Sequence, residues 1–438
     1  MATYYVSARG DDSNDGLTPQ TAWATTQHAT ATAGGGSTVL LKRGDTFYGS
    51  VRVPPSDDPE SPTVIGAYGE GDKPKICLYK KVIDPAAWER VSKTLWKIDL
   101  KDPKNFIGNT YSDDINVGFI YADGEIRGWK HFNKDTLMTT WDFYTDYEEG
   151  VVYVFCWRNP SDYDKEVCFA VGVGGVQLGN NCRVSDLDIF GGGTHGVTGG
   201  VENAVVSNCD IHDFGGSQLK SDHNPTVRFG NGIEFWSGGQ NITVEGCRIY
   251  NIYDVGVTMQ GFPRKGGGWK NIVFRRNVFW GNHQTFEIWT NNKESNDGMQ
   301  GCKFIENICI GAGYAWSYWP RPYRYSGAHL LLYPTLVKHH DILVEHNVFY
   351  DTREVLYHKS HDEPDGEVPK DYVTRNNRIF MRKDAYLMRN KYLYRASEFE
   401  KFQRERELEI GSTMEYIDGK PIDDLESKIE ELKAYLPQ

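Results

Sequence analysis

Nowhere does the 438-residue chain hold the roughly 18 consecutive apolar residues that a membrane-spanning helix requires, and its opening MATYYVSARG has no cationic and no apolar segment. Membrane insertion is excluded and a soluble chain is implied. An excess of positive charge is missing too: 48 basic residues face 60 acidic ones, a formal charge of -12, which gives no chain-wide field for nucleic acid or an anionic membrane. Any basic patch must be local. The eight cysteines, Cys77, Cys156, Cys168, Cys182, Cys209, Cys247, Cys302 and Cys309, form no CxxC pair and no Cys/His cluster at metal spacing. No metal or other cofactor is assigned, and in so long a chain these thiols read as small buried apolar residues rather than a disulfide framework. Helical periodicity is scarce before residue 394. Glycine, at 46 residues, and aromatics, at 13%, favour strands and turns instead, and suit carbohydrate surfaces.

Residues 175–380 contain a repeat: VSDLDIF, VSNCDIH, VEGCRIY, FRRNVFW, FIENICI, VEHNVFY and TRNNRIF. Its turn residues, Leu187, Cys209, Cys247, Asn277, Asn307, Asn347 and Asn377, are spaced 22, 38, 30, 30, 40 and 30 apart. That irregularity excludes a helical solenoid of fixed period and fits coils with a short minimum length and insertions in their loops. Alternation such as Ile242-x-Val244 and Ile342-x-Val344 points to short strands. Four asparagines at one turn position can bond the backbone of their own turn and of the turns above and below, which stacks them into a ladder.

With these units, the sequence resembles the right-handed parallel β-helix superfamily of pectate-lyase-like and polygalacturonase-like carbohydrate-active enzymes, whose coils carry three strands and such a ladder at the second turn. The opening YYVSARGDDSNDGLTPQTAWAT, with GSTVLLKRGDTFYGSV and PTVIGAYGEGDKPKI, resembles that of bacterial secreted members: a first strand, an Asp/Asn/Gly turn, a capping helix from about Thr21, then the first coils. The resemblance covers residues 3–380. It implies an all-β right-handed parallel β-helix over 1–395, a secreted or cell-surface location with the signal absent (a cytoplasmic one stays open), and a substrate groove on the first sheet. Residues 80–170 read as hairpin-like strands, an insertion or elaborated early coils, and 396–438 as a helical C-terminal cap, with Leu425, Ile429 and Leu432 at helical spacing.

Placing the ladder at the second turn makes the segment after the next loop a first-sheet strand, so THGVT (194–198), GNGIEFW (230–236), DVGVTMQ (254–260) and HQTFEIW (283–289) align. If Ile233, Val257 and Phe286 point inward, Glu234, Thr258 and Glu287 share one outward column, and Trp236, Gln260 and Trp289 the next. Asp254 and His283 fall on the same face. Long insertions at 215–229, 262–270, 291–299 and 314–328 border that sheet and carry Arg264, Lys265, Trp269, Trp316, Trp319, Arg321, Tyr323, Arg324 and His329. For any one of these rings, packing over the next coil is the plainer reading; beside aligned carboxylates the cluster favours a site.

Glycoside hydrolysis needs one carboxylic acid to protonate the leaving oxygen and a carboxylate to activate water, on opposite sides of the bond. Glu234 and Glu287 supply both; two strand spacings put their backbones about 9.6 Å apart, near the upper end of the inverting range. Asp254 is placed to orient a water. Thr258, Gln260, Trp236, Trp289, His283, Arg264, Trp316, Trp319 and Arg324 are the expected substrate contacts. The opposing view, that the glutamates are solvated strand residues, is weakened by the rarity of Glu in strands. A second row, Asp188, Asp210 and Arg248, is better read as a surface ion-pair stack. Hydrolysis of a poly- or oligosaccharide is the favoured function. A polysaccharide lyase, with His283, His195, Arg264, Lys265 or Arg324 as base or cation, is the first rival, and a non-catalytic glycan-binding adhesin the second. The sugar, its linkage, endo or exo action and the oligomeric state are not written in the sequence.

Overall fold

The computed structural model describes residues 2–163, 165–219, 226–263, 266–290, 297–321, 326–335, 337, 339–359, 368–389 and 392–437. Three ten-stranded sheets run along one axis, each built from one strand per coil and parallel except where Leu393–Arg395 closes on Tyr386–Arg389. In one coil Ile233–Trp236 lies in sheet one, Gly239–Glu245 in sheet two and Arg248–Ile252 in sheet three, before Val255–Gln260 re-enters sheet one. This is a parallel β-helix of three-strand coils.

Alternation along each strand fills its interior with columns in strict register. Sheet three stacks Ile189, Ile211, Ile249, Phe279, Cys309, Phe349 and Ile379. Sheet one stacks Val176, Val197, Ile233, Val257, Phe286 and Leu330. All of these side chains are at most 2% exposed. Because parallel strands repeat every ~4.8 Å, like side chains meet like, which suits β-branched and aromatic residues. All eight cysteines are buried.

The corner between sheets two and three is turned by residues in the left-handed region, Asn208, Gly246, Arg276, Glu306, His346 and Asn376, with φ between 50° and 63°. The ladder residue follows each of them. Asn277 Nδ2 donates to Asn307 Oδ1 at 3.1 Å, Asn307 to Asn347 at 3.0 Å and Asn347 to Asn377 at 3.1 Å. The backbone N–H groups of Asn277, Asn307 and Asn347 donate to the same oxygens. Glu409 ends the file, accepting from Asn377 Nδ2 at 2.9 Å and Ser412 Oγ at 2.6 Å. A second asparagine file, absent from the reading of the repeat, lies at the entry to sheet two: Asn203, Asn241 and Asn271, at φ 53–55°, donate to Asn181, Asn203 and Asn241 at 2.8, 2.9 and 3.0 Å. It is the more exposed of the two.

Residues 79–170 form two five-stranded sheets, mostly antiparallel, around a core of their own that includes Trp96, Phe143, Val152 and Phe169. The N-terminal helix begins later than Thr21, at Thr26–Thr32, because Thr25 supplies the cap by accepting from the His28 N–H at 3.1 Å; Thr18 caps only the single turn Pro19–Thr21. The tail is not wholly helical. Phe399–Arg406 buries Phe399 and Phe402 in the main core, Thr413–Ile417 adds a tenth strand to sheet three, and Leu425–Lys433 lies on the outer face of that sheet, over Val278, Ile308, Val348 and Phe380.

Candidate active site

Sheet one carries the outward side chains in the register that alternation gives: Glu234 pairs with Thr258 and Thr258 with Glu287, while Trp236 pairs with Gln260 and Gln260 with Trp289. A pocket of about 560 Å³ opens over them, lined by Glu234, Glu287, Asp254, Trp236, Gln260 and Trp289 together with His195, Leu219, Thr226, Val227, Arg228, Phe229, Asn231, Tyr253, Arg321 and Tyr333. Thr258 is fully buried between the two glutamates and donates to Glu287 Oε2 at 3.0 Å.

Both glutamates are only 6% exposed. Burial, then the nearby Asp254 carboxylate and, to a smaller degree, Glu234, push the Glu287 carboxyl up to about 8, against the opposing Thr258 hydrogen bond and Arg321 charge. Glu287 is therefore an acid that still holds its proton at neutral pH. Glu234 sits differently: Oε2 lies 3.0 Å from His195 Nε2, and Oε1 accepts from Gln260 Nε2 at 2.5 Å and Asn231 Nδ2 at 3.4 Å. Asp254 is held by Arg321, Nη2 to Oδ1 at 2.7 Å. On the same side of the pocket the guanidiniums of Arg228 and Arg321 lie 4.6 and 5.2 Å from the Tyr253 ring. On the other side Trp236 and Trp289 touch at 5.9 Å and both contact Phe262, with Trp236 43% exposed.

Four expected contacts are not on the pocket: Thr258, fully buried beneath it, His283, Trp316 and Trp319. His283 is fully buried, with Nε2 3.3 Å from Ser326 Oγ and Nδ1 unpartnered; burial, aided by Arg321, holds its imidazole far below the ordinary range and neutral. His283 precedes the strand Gln284–Thr290, so strand alternation does not set the direction of its side chain. Trp316 packs between Phe119 and Tyr253 and donates to Asn251 O at 3.0 Å, so it serves as wall packing. Trp319 is 55% exposed beside Arg353 and Tyr318, away from the pocket. Arg264, Lys265, Tyr323 and Arg324 lie outside the described residues. Trp269 and His329 are likewise interior: Trp269 is fully buried, and His329 is bonded to Thr285 and Asp351 O.

Asn231, Arg228, Tyr253 and Phe229 escaped the sequence reading. Asn231 and Tyr253 are turn residues, which no strand column selects, and Arg228 and Phe229 reach the pocket on a hairpin, Ser217–Gln218 with Arg228–Phe229. That hairpin is docked on the inserted domain: Ser217 Oγ donates to Asn116 O at 2.6 Å, Asn116 Nδ2 to Gln218 O at 2.7 Å, and Arg228 Nη2 to Gly118 O at 2.8 Å. In the second carboxylate row, Asp188, Asp210 and Arg248 are register partners on sheet three, paired with His212, Lys73 and Glu426 respectively.

The family model for the right handed beta helix region matches residues 164–319. Curated protein sequences give no match to this chain. Among solved structures the chain is similar to XylC in complex with xylose, at a TM-score of 0.53 and 11% identity over 96% of this chain and 85% of that one. It is similar also to a glycoside hydrolase, at 0.50 and 11% over 95% and 96%. Coils, ladder and matches agree that the chain is, in fold, a right-handed parallel β-helix.

Proposed function

We propose that this protein is a carbohydrate-active enzyme, a glycoside hydrolase that cleaves a poly- or oligosaccharide in the groove of sheet one with inversion. One observation carries the reading: two glutamates two coils apart in one column over the pocket, Glu287 buried beside Asp254, which pushes its carboxyl up, and Glu234 within hydrogen-bond distance of donors at both oxygens. Glu287 is the general acid that gives its proton to the leaving oxygen, and Glu234 the base that takes one from the attacking water. A backbone separation of ~9.6 Å leaves room for that water, which favours inversion. Asp254, paired with Arg321, adds charge that keeps Glu287 protonated. Trp236 and Trp289 offer rings to the apolar face of a sugar, and Gln260 stands between them. The similarity to a glycoside hydrolase and to a protein crystallised with xylose supports this reading.

The lyase reading is less well supported. It needs a basic lone pair facing the groove, but of the candidates among the described residues His283 is buried and His195 Nδ1 already accepts from the Asn231 N–H at 3.1 Å, while Arg264, Lys265 and Arg324 lie outside those residues. The test is release of reducing sugar across a panel of neutral and acidic glycans, repeated with Glu287→Gln and Glu234→Gln. Loss in both variants on a confirmed substrate supports the assignment; near-wild-type rates in both overturn it. A rise in ultraviolet absorbance from a new conjugated double bond identifies a lyase.

A further inference from the structure

Among the described residues His195 is the one imidazole on the pocket, and its hydrogen bonds leave it a single protonation pattern. Nδ1 lies 3.1 Å from the Asn231 backbone N–H, which can only donate, so Nδ1 keeps its lone pair. The proton of the neutral ring then sits on Nε2, 3.0 Å from Glu234 Oε2. Taking a proton at Nδ1 would set two N–H groups against each other. The ring is also held in place by Phe229, 5.3 Å away on the docked hairpin.

Asn231 is fixed in the same way. It is 2% exposed, and its Oδ1 accepts from the Val255 N–H at 3.2 Å, which turns the amide so that Nδ2 faces Glu234 Oε1 at 3.4 Å. Gln260 donates to that oxygen from the following coil at 2.5 Å. Glu234 thus receives donors from three successive coils: His195 from the one before, Asn231 from its own and Gln260 from the next. Among the described residues His195 is the partner of Oε2.

We infer that His195 is a positioning residue, a neutral Nε2–H donor that holds the Glu234 carboxylate in the orientation the reaction needs and neither gives nor takes a proton in the reaction. The inference rests on the hydrolase reading and names the residue on which the base depends. Among the described residues, rotation of Glu234 about its last torsion is limited on the Oε1 side by two amides and on the Oε2 side by this ring, so removing the ring loosens the carboxylate.

Three measurements on the full chain test it. In His195→Ala, kcat should fall about tenfold or more, short of the ~10²-fold expected for loss of the base itself, with KM little changed. His195→Gln, whose amide can donate, should recover most of that loss, and combining His195→Ala with Glu234→Gln should add nothing to the Glu234→Gln defect. Nitrogen-15 NMR of labelled histidine at neutral pH should show His195 as the Nε2–H tautomer. A ring seen as Nδ1–H or as imidazolium overturns the inference. So does a Gln variant no better than Ala at equal melting temperature, or a double variant whose losses multiply. If His195→Ala does not fold, His195→Asn and His195→Gln carry the same comparison. None of these outcomes touches the hydrolase reading, which stands or falls with Glu287→Gln and Glu234→Gln.

Discussion

The corner that holds the asparagine ladder and the floor of sheet one are made from the same coils, and each buries polar side chains almost completely. At the corner, Asn307 is fully buried; it donates to Phe274 O and Asn347 Oδ1 and accepts at its own oxygen from the side chain and backbone of Asn277. Every donor and acceptor has a partner one coil away, so burial strengthens the bonds without an unpaid polar group. On the floor, Glu287 is nearly as buried, beside Asp254, with Thr258 as its one described hydrogen-bond donor, and the result is a carboxyl pushed up to about 8. Uncharged amides repeated in register stabilise the stack. A carboxyl buried beside another carboxylate has no such repeat to satisfy it, and burial first, then the Asp254 charge, favour the protonated form of Glu287. The difference separates a residue that holds the coils together from one that is set up to react.

If that contrast is right, substitutions at the two places should fail in opposite ways. Glu287→Gln should cost at least ~10²-fold in turnover while leaving the thermal midpoint unchanged or higher, because it removes a buried ionisable group; activity on a confirmed glycan and calorimetry read the two effects. Wild-type turnover should also fall as pH rises through about 8, where Glu287 loses its proton, and a pH–rate profile shows this limb. Asn307→Ala should do the reverse, destabilising by about 1 to 3 kcal/mol in denaturant unfolding while the folded fraction keeps its specific activity.

A third site sharpens the comparison. On the outer face of sheet three, His212 is bonded to Asp188 at 2.9 Å and Asp213 at 3.0 Å and stacks on Phe190 and Tyr250. Burial alone would lower its pKa, but the two carboxylates outweigh it and raise it from 6.5 to about 9. Since the folded value lies above the unfolded one, the stabilisation is full below pH 6.5 and is lost as pH rises to about 9. His212→Phe should flatten the fall in melting temperature across that window. The smallest effect is expected at Asn116, whose amide and carbonyl dock the wall hairpin on the inserted domain. Asn116→Ala should raise KM more than it lowers kcat, because it loosens a wall and leaves the glutamates in place; steady-state kinetics measure that split.

The coils were legible because their signal is local and repeated. An apolar residue, two polar ones and a turn asparagine, found again about thirty residues later, leave a parallel stack as the arrangement in which those asparagines meet, and strand alternation then puts Glu234, Thr258 and Glu287 in one column. Where the reading missed, alternation did not apply. His283 stands at the first residue out of a turn, before the strand is regular, and Trp316 belongs to a loop whose path is set by Phe119 of the inserted domain. The second asparagine file was missed although its signal is there: Asn203, Asn241 and Asn271 each stand six residues before a turn residue of the repeat, Cys209, Cys247 and Asn277.

By itself, then, the sequence determined the fold, the ladder and the column of carboxylates, all consequences of a short-range period that each coil states again. Tertiary structure alone decided which carboxyl keeps its proton and what surrounds the other. The level of Glu287 depends on how deeply it is buried and on Asp254, thirty-three residues earlier in the chain, while the partners of Glu234 come from three different coils. Dielectric and distance set those properties, and neither is a function of position along the chain.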